Sequence, residues 1–229
     1  APVKARDIGL LFIRAALWGA SFLYIRVAVD ALGPFALVAA RTLIAAAALL
    51  IFARLSGRTL TLRQYWRQFA ILGALNSAIP FVLISAAEQS ITASLASILN
   101  ATTPLFSAVV AAVWLSDRLT PTRIVGLLLG LAGVAVVVGL IPLPGAAVGA
   151  EAAFTLTSDN LIAVLMSLGG ALFYALGSSY ARVRLRGAST YSLAIGQQLA
   201  AGVLVLPLAV PPPPPRSPTP AILAAALSP

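Results

Sequence analysis

Apolar residues run with little interruption for about 20 positions at a time, and short polar stretches separate the runs. About 20 apolar residues at 1.5 Å each span the roughly 30 Å hydrocarbon core of a bilayer. The pattern predicts seven helical spans at 8–29, 34–53, 69–87, 91–115, 121–140, 160–181 and 189–210, with an eighth starting near residue 220. The ten residues from there to Pro229 would cover only about 15 Å, so the chain is expected to stop inside its eighth helix. A membrane barrel would need alternating segments of about ten residues, and none is present. The first run is too long for a signal-peptide core and has no cleavage-type ending, which makes it a span. The loops are short and hold no inserted soluble domain. The longest is 141–160, and VPPPPPRSPTP at 210–220 favours a stiff polyproline II spacer over a proline-recognition ligand.

Composition agrees with this reading: 60% of the 229 residues are hydrophobic and 9% charged, against roughly 25% charged in soluble domains. The net charge of +9 raises a nucleic-acid partner, but the arginines fall in short clusters between spans rather than on one soluble face. Lys4, Arg6, Arg54, Arg58, Arg63, Arg67, Arg118, Arg123, Arg182, Arg184 and Arg186 all lie on one side if the spans alternate. The other side carries Asp30, Glu88, Glu151 and Asp159, with Arg216 as its clear basic loop residue. The positive-inside rule then puts the N-terminus in the cytoplasm. Fourteen arginines against one lysine, with abundant alanine, suggest a GC-rich bacterial source and hence the cytoplasmic membrane. The chain has no cysteine and no histidine, which excludes a disulfide framework, a typical zinc site and a Ser-His or Cys-His nucleophile. No phosphate loop is present, so ATP hydrolysis is not expected, and no cofactor is implied.

A shift of 156 residues superposes Arg26-Val27 on Arg182-Val183, Leu37 on Leu193 and Leu43 on Leu199. It also places Trp18 on Tyr174 and Arg41 on Gln197. The shift maps first span to sixth and second to seventh, so the repeating unit has five spans. An odd number inverts the second copy in the membrane, and inverted repeats are a transporter architecture with the site near midplane. Residues 1–145 form the first expected repeat, and 146–229 a partial second.

LWGASFLYIRVAV (17–29) and PFALVAARTLIAAAALL (34–50) resemble the first two helices of EamA-type transporters of the drug/metabolite transporter superfamily. SLASILNATTPLFSAVVAAVWLSDRLTPTRIVGLLLGLAGVAVVV (94–138) resembles that family's fourth and fifth helices, including the mid-helix proline, an acidic turn at Asp117-Arg118-Leu119 and a glycine-marked fifth helix. The resemblance covers essentially all of the chain. It implies an all-α polytopic membrane protein of ten helices in two inverted five-helix halves, of which about seven and a half are covered here.

Arg41 lies about 10 Å below the outer surface, where a guanidinium costs about 2.5–3.5 kcal/mol to insert. It is expected either to pair with Glu88 or Asp30, or cap freed carbonyls, or to attract an anionic substrate group. The family has an arginine at this place. Pro80 and Pro104 each remove a helical hydrogen bond, freeing the carbonyls of Asn76 and Asn100. Both asparagines then lie near midplane, where they either bond each other or form a polar floor for substrate. Trp18 is too deep for an interfacial anchor, so with Tyr174 it is packing or a cavity wall; the resemblance implies a cavity there. Gln197 is a weaker candidate. Gly126, Gly130 and Gly133 form a helix-packing pattern, and Arg182, Arg184 and Arg186 are a topology signal that also suits anionic lipid.

These features favour a secondary transporter that exports small metabolites, amino acids or related amphipathic compounds, by alternating access. The alternatives are a channel or a non-transporting scaffold. An intramembrane enzyme would need catalytic pairs that the spans do not contain. The expected partners are a small-molecule substrate and membrane lipid, not nucleic acid.

Overall fold

The computed structural model describes residues 5–117, 120–137 and 158–209. Lys4, Arg118, Glu151, Arg216, the polyproline segment and the expected eighth helix lie outside the described residues. The described chain is all-helical, without strands. Its elements are α1 (Ala5–Leu55), α2 (Trp66–Gly73), a π-turn (Ala74–Ala78), α3 (Ile79–Ala87), α4 (Ala93–Asn100), α5 (Thr103–Trp114), α6 (Pro121–Val137), α7 (Ser158–Arg184), α8 (Thr190–Val205) and a closing 3₁₀ turn (Leu206–Leu208).

α1 contains the first two expected spans. A straight helix of 51 residues would be about 77 Å long, far beyond the thickness of a bilayer. Gly33 breaks it, with φ 73° and ψ 160°, a conformation open to glycine because it has no Cβ. Pro34 then starts the second arm, where a missing N–H costs nothing. The arms fold together: Leu37 packs with Ile25, Ala28 and Val29, although a continuous helix would separate Leu37 from Val29 by about 12 Å.

Among the described residues, five helical stretches are long and apolar enough to cross a membrane: Asp7–Leu55, Trp66–Ala87, Ala93–Trp114, Asn160–Arg184 and Thr190–Leu208. Pro121–Val136 is apolar but shorter. Thr92 and Ser189 begin α4 and α8 as N-caps, accepting from the Leu95 and Ser192 amides, which satisfies donors that a helix start leaves free. The second arm of α1 lies against α8, and α7 packs on α3 and α5. A core of Phe22, Val38, Phe81, Ile84, Leu99, Val164 and Tyr174 joins these helices. Phe12, Val113, Leu128 and Leu129 face outward, as lipid-facing positions do.

Two helices are interrupted where the prolines predict, by different devices. Before Pro80 the chain widens into the π-turn, and the Ile79 amide bonds the Ala74 carbonyl. Before Pro104 the helix stops at Asn100 and restarts at Thr103. Such turns inside helices are frequent at functional sites.

Candidate functional site

The breaks in both helices, the two arms of α1, and the middles of α7 and α8 surround one cavity of about 1020 Å³. Its wall includes all five of Trp18, Arg41, Asn76, Asn100 and Tyr174, together with Pro104; Pro80 and Glu88 are not part of it. Trp18 and Arg41, about 35 Å apart on a straight helix, reach the same space because of the Gly33 fold.

Trp18 meets Tyr174 edge-on with ring centroids 6.2 Å apart, and Tyr174 meets Phe81 at 6.0 Å. The Arg41 guanidinium lies over the Phe81 ring, 4.4 Å from its centroid. It is the one charged group lining the cavity among the described residues. The expected ion pair between Arg41 and Glu88 is not formed: neither Glu88 carboxylate oxygen has a hydrogen-bond partner among the described residues, while Arg26 pairs with Asp30 at 3.3 Å and Arg182 with Asp117 at 3.8 Å. The physical reason is that a guanidinium gains from an aromatic face, and the Phe81 ring on α3 takes that place. Asp30 likewise bonds Arg26, one turn behind it on α1, rather than Arg41.

The asparagines also differ from expectation. Asn76 does not pair with Asn100. Its Nδ2 donates to Gln197 Oε1 at 3.0 Å, and next to it Ser77 Oγ donates to Gln198 Oε1 at 2.8 Å. The π-turn lies against both α7 and α8, and this contact lets helix amides interlock. Gly177 makes the approach feasible, since a Cβ there would stand 2.7 Å from that of Asn76. The Asn100 carbonyl, freed by Pro104, accepts a bond from Thr103 Oγ1 at 2.7 Å. The Asn100 side chain instead carries polarity that no neighbour satisfies. It is buried, and its Oδ1 has no hydrogen-bond partner among the described residues, as is true of the Tyr174 hydroxyl.

Sequence reasoning missed Phe81, Ser77, Ser178 and Gln198 in the wall. Phe81 follows Pro80 directly, and this adjacency to a helix break was the available signal. Gln198 lies beside Gln197, two polar residues within an apolar run.

The cavity combines one cation, aromatic faces, paired amides and two unpaired polar atoms within a set of apolar helices. It can hold an amphipathic molecule whose charged end meets Arg41 while its apolar part rests on rings.

Residues 6–139 match the EamA-like transporter family. An uncharacterized transporter, YvbV, of Bacillus subtilis is 28% identical over 177 residues, covering 77% of this chain and 54% of that protein. A probable terminal-alkyne amino-acid exporter of Streptantibioticus cattleyicolor is 31% identical over 133 residues, covering 58% and 45%. YedA, an uncharacterized inner membrane transporter of Escherichia coli, is 29% identical over 127 residues, covering 55% and 41%. The chain thus spans about half the length of these curated relatives. A protein crystal structure shares the fold at TM-score 0.63 and 21% identity, covering 91% of this chain and 70% of the other. With its apolar helices and a family match over residues 6–139, this chain is an integral membrane protein belonging to the EamA-like transporter family.

Proposed function

We propose that the protein is a secondary transporter that exports small amphipathic carboxylates, amino acids among them, across the bacterial cytoplasmic membrane by alternating access. The observation that carries this reading is Arg41, the one charge in the cavity wall among the described residues, with no carboxylate within salt-bridge distance. A buried charge with no carboxylate in direct contact is costly, and a substrate carboxylate supplies that contact. In the same wall Asn100 Oδ1 and the Tyr174 hydroxyl are buried without hydrogen-bond partners among the described residues, and a turn of either side chain toward the cavity would let it meet an ammonium group. Trp18 and Phe81 form the apolar contact. The name of the Streptantibioticus relative favours amino acids as substrates and export as the direction.

Alternating access rests on the inverted repeat. Trp18 touches Tyr174, its counterpart under the 156-residue shift, and Arg41 shares the cavity with its counterpart Gln197. This supports 1–145 and 146–229 as paired units that rock about a shared midplane site. The basic loops support a cytoplasmic N-terminus.

The test is counterflow in proteoliposomes with the complete protein and a panel of amino acids and small carboxylates. Exchange accelerated by unlabelled compound on the far side, and weakened by Arg41→Ala or Asn100→Ala, is the expected result. Flux indifferent to the far side would make the protein a channel. No flux for any compound would refute the carrier reading.

A further inference from the structure

Glu88 is wholly buried, and neither of its carboxylate oxygens has a hydrogen-bond partner among the described residues. It is the first residue beyond the Trp66–Ala87 span and lies outside the cavity wall. Two cations act on it through space, Arg26 from the first arm of α1 and Arg41 from the second. Arg26 is held in a partly exposed pair with Asp30 at 3.3 Å, whereas Arg41 lines the cavity, so Arg41 is the cation that Glu88 and an anion in the cavity would share. The other titratable group in the field of Arg41 is the Tyr174 hydroxyl, in the cavity wall.

An interior of low dielectric constant strongly disfavours net charge. This cluster has two neutral arrangements. In one, Glu88 is ionised and the cavity is empty; in the other, Glu88 carries a proton and an anionic group in the cavity faces Arg41. We propose that Glu88 is a proton-binding site linked to the cavity through Arg41, so that entry of an anion is accompanied by transfer of one proton from water to a Glu88 oxygen. No other bond forms or breaks. The inference rests on the reading of the cavity as a carboxylate site and deepens it, making occupancy and proton uptake one event. Because linkage is reciprocal, acid strengthens anion binding by the same factor by which the anion raises proton affinity.

The experiment uses the complete protein in lipid vesicles and follows the carboxylic C=O stretch by infrared difference spectroscopy, across the pH range in which the protein stays folded. Loss of the band in Glu88→Gln assigns it. The band is expected to titrate, and Arg41→Gln to move its midpoint upward by about one pH unit, tenfold in proton affinity. Arg41→Lys, which keeps the charge, should hold the midpoint in place. Phenylacetate, an aromatic carboxylate without an ammonium group, should shift the wild-type midpoint in the same direction as Arg41→Gln and leave that variant unmoved. A band that never titrates, or that Arg41→Gln leaves in place, overturns the role of Glu88 without touching the cavity reading. A band moved by Arg41→Gln but not by phenylacetate overturns the link through a failure of the cavity reading itself.

Discussion

Replacing Gly177 with alanine tests how closely α7 must approach the π-turn. A Cβ at this position would stand 2.7 Å from Asn76 Cβ, 3.0 Å from its Oδ1 and 3.1 Å from its Cα. Carbon atoms pack best at about 3.5–4.0 Å, so the two helices must separate by close to 1 Å or Asn76 must move. Overpacking of this kind costs about 1–3 kcal/mol. Movement of Asn76 also strains its 3.0 Å bond to Gln197, worth about 0.5–1.5 kcal/mol net. Alanine returns at most about 1 kcal/mol of helix propensity, so the expected outcome is a loss of about 1–3 kcal/mol. Equilibrium unfolding in mixed detergent micelles measures it. Gly133→Ala is the control, because a Cβ there meets nothing within 4 Å; it should be neutral or stabilising by up to about 1 kcal/mol. Asn76→Gly removes the atom that clashes, so the double variant should be more stable than the sum of its singles by about 0.5–3 kcal/mol. A Gly177→Ala protein as stable as wild type, or additivity within about 0.5 kcal/mol, would refute the close contact.

Thr103→Ala uncovers the Asn100 carbonyl and should cost about 1–3 kcal/mol in the same unfolding assay, while Thr103→Ser, which keeps the hydroxyl, should cost less. Gln197→Ala removes the acceptor of Asn76 Nδ2; a stability loss of about 0.5–1.5 kcal/mol is expected, together with a raised KM in counterflow because a wall residue has changed. Asp117→Asn breaks a half-exposed pair at 3.8 Å and should cost no more than about 1 kcal/mol, with the difference shrinking as salt is added.

The apolar runs by themselves determine that this chain is a set of membrane helices, because a backbone in lipid must satisfy its own polar groups and a helix does so within one segment. The breaks near Pro80 and Pro104 and the fold at Gly33-Pro34 are equally local. A proline lacks an N–H and a glycine lacks a Cβ whatever surrounds them. Counting residues along each span puts Trp18, Asn76 and Asn100 at similar depth and Arg41 nearer the outer surface; that these four and Tyr174 line one cavity follows only from how the helices are folded together. Partner choice was not legible either. Asn76 bonds Gln197 rather than Asn100, and Arg41 rests on Phe81 rather than reaching Glu88. Thr103 satisfies the Asn100 carbonyl, and a π-turn rather than a simple missing bond precedes Pro80. Depth is a property of one helix, whereas a partner depends on how two helices are rotated about their axes. That rotation is set by packing between residues as distant in sequence as Asn76 and Gly177, and only the folded bundle decides it.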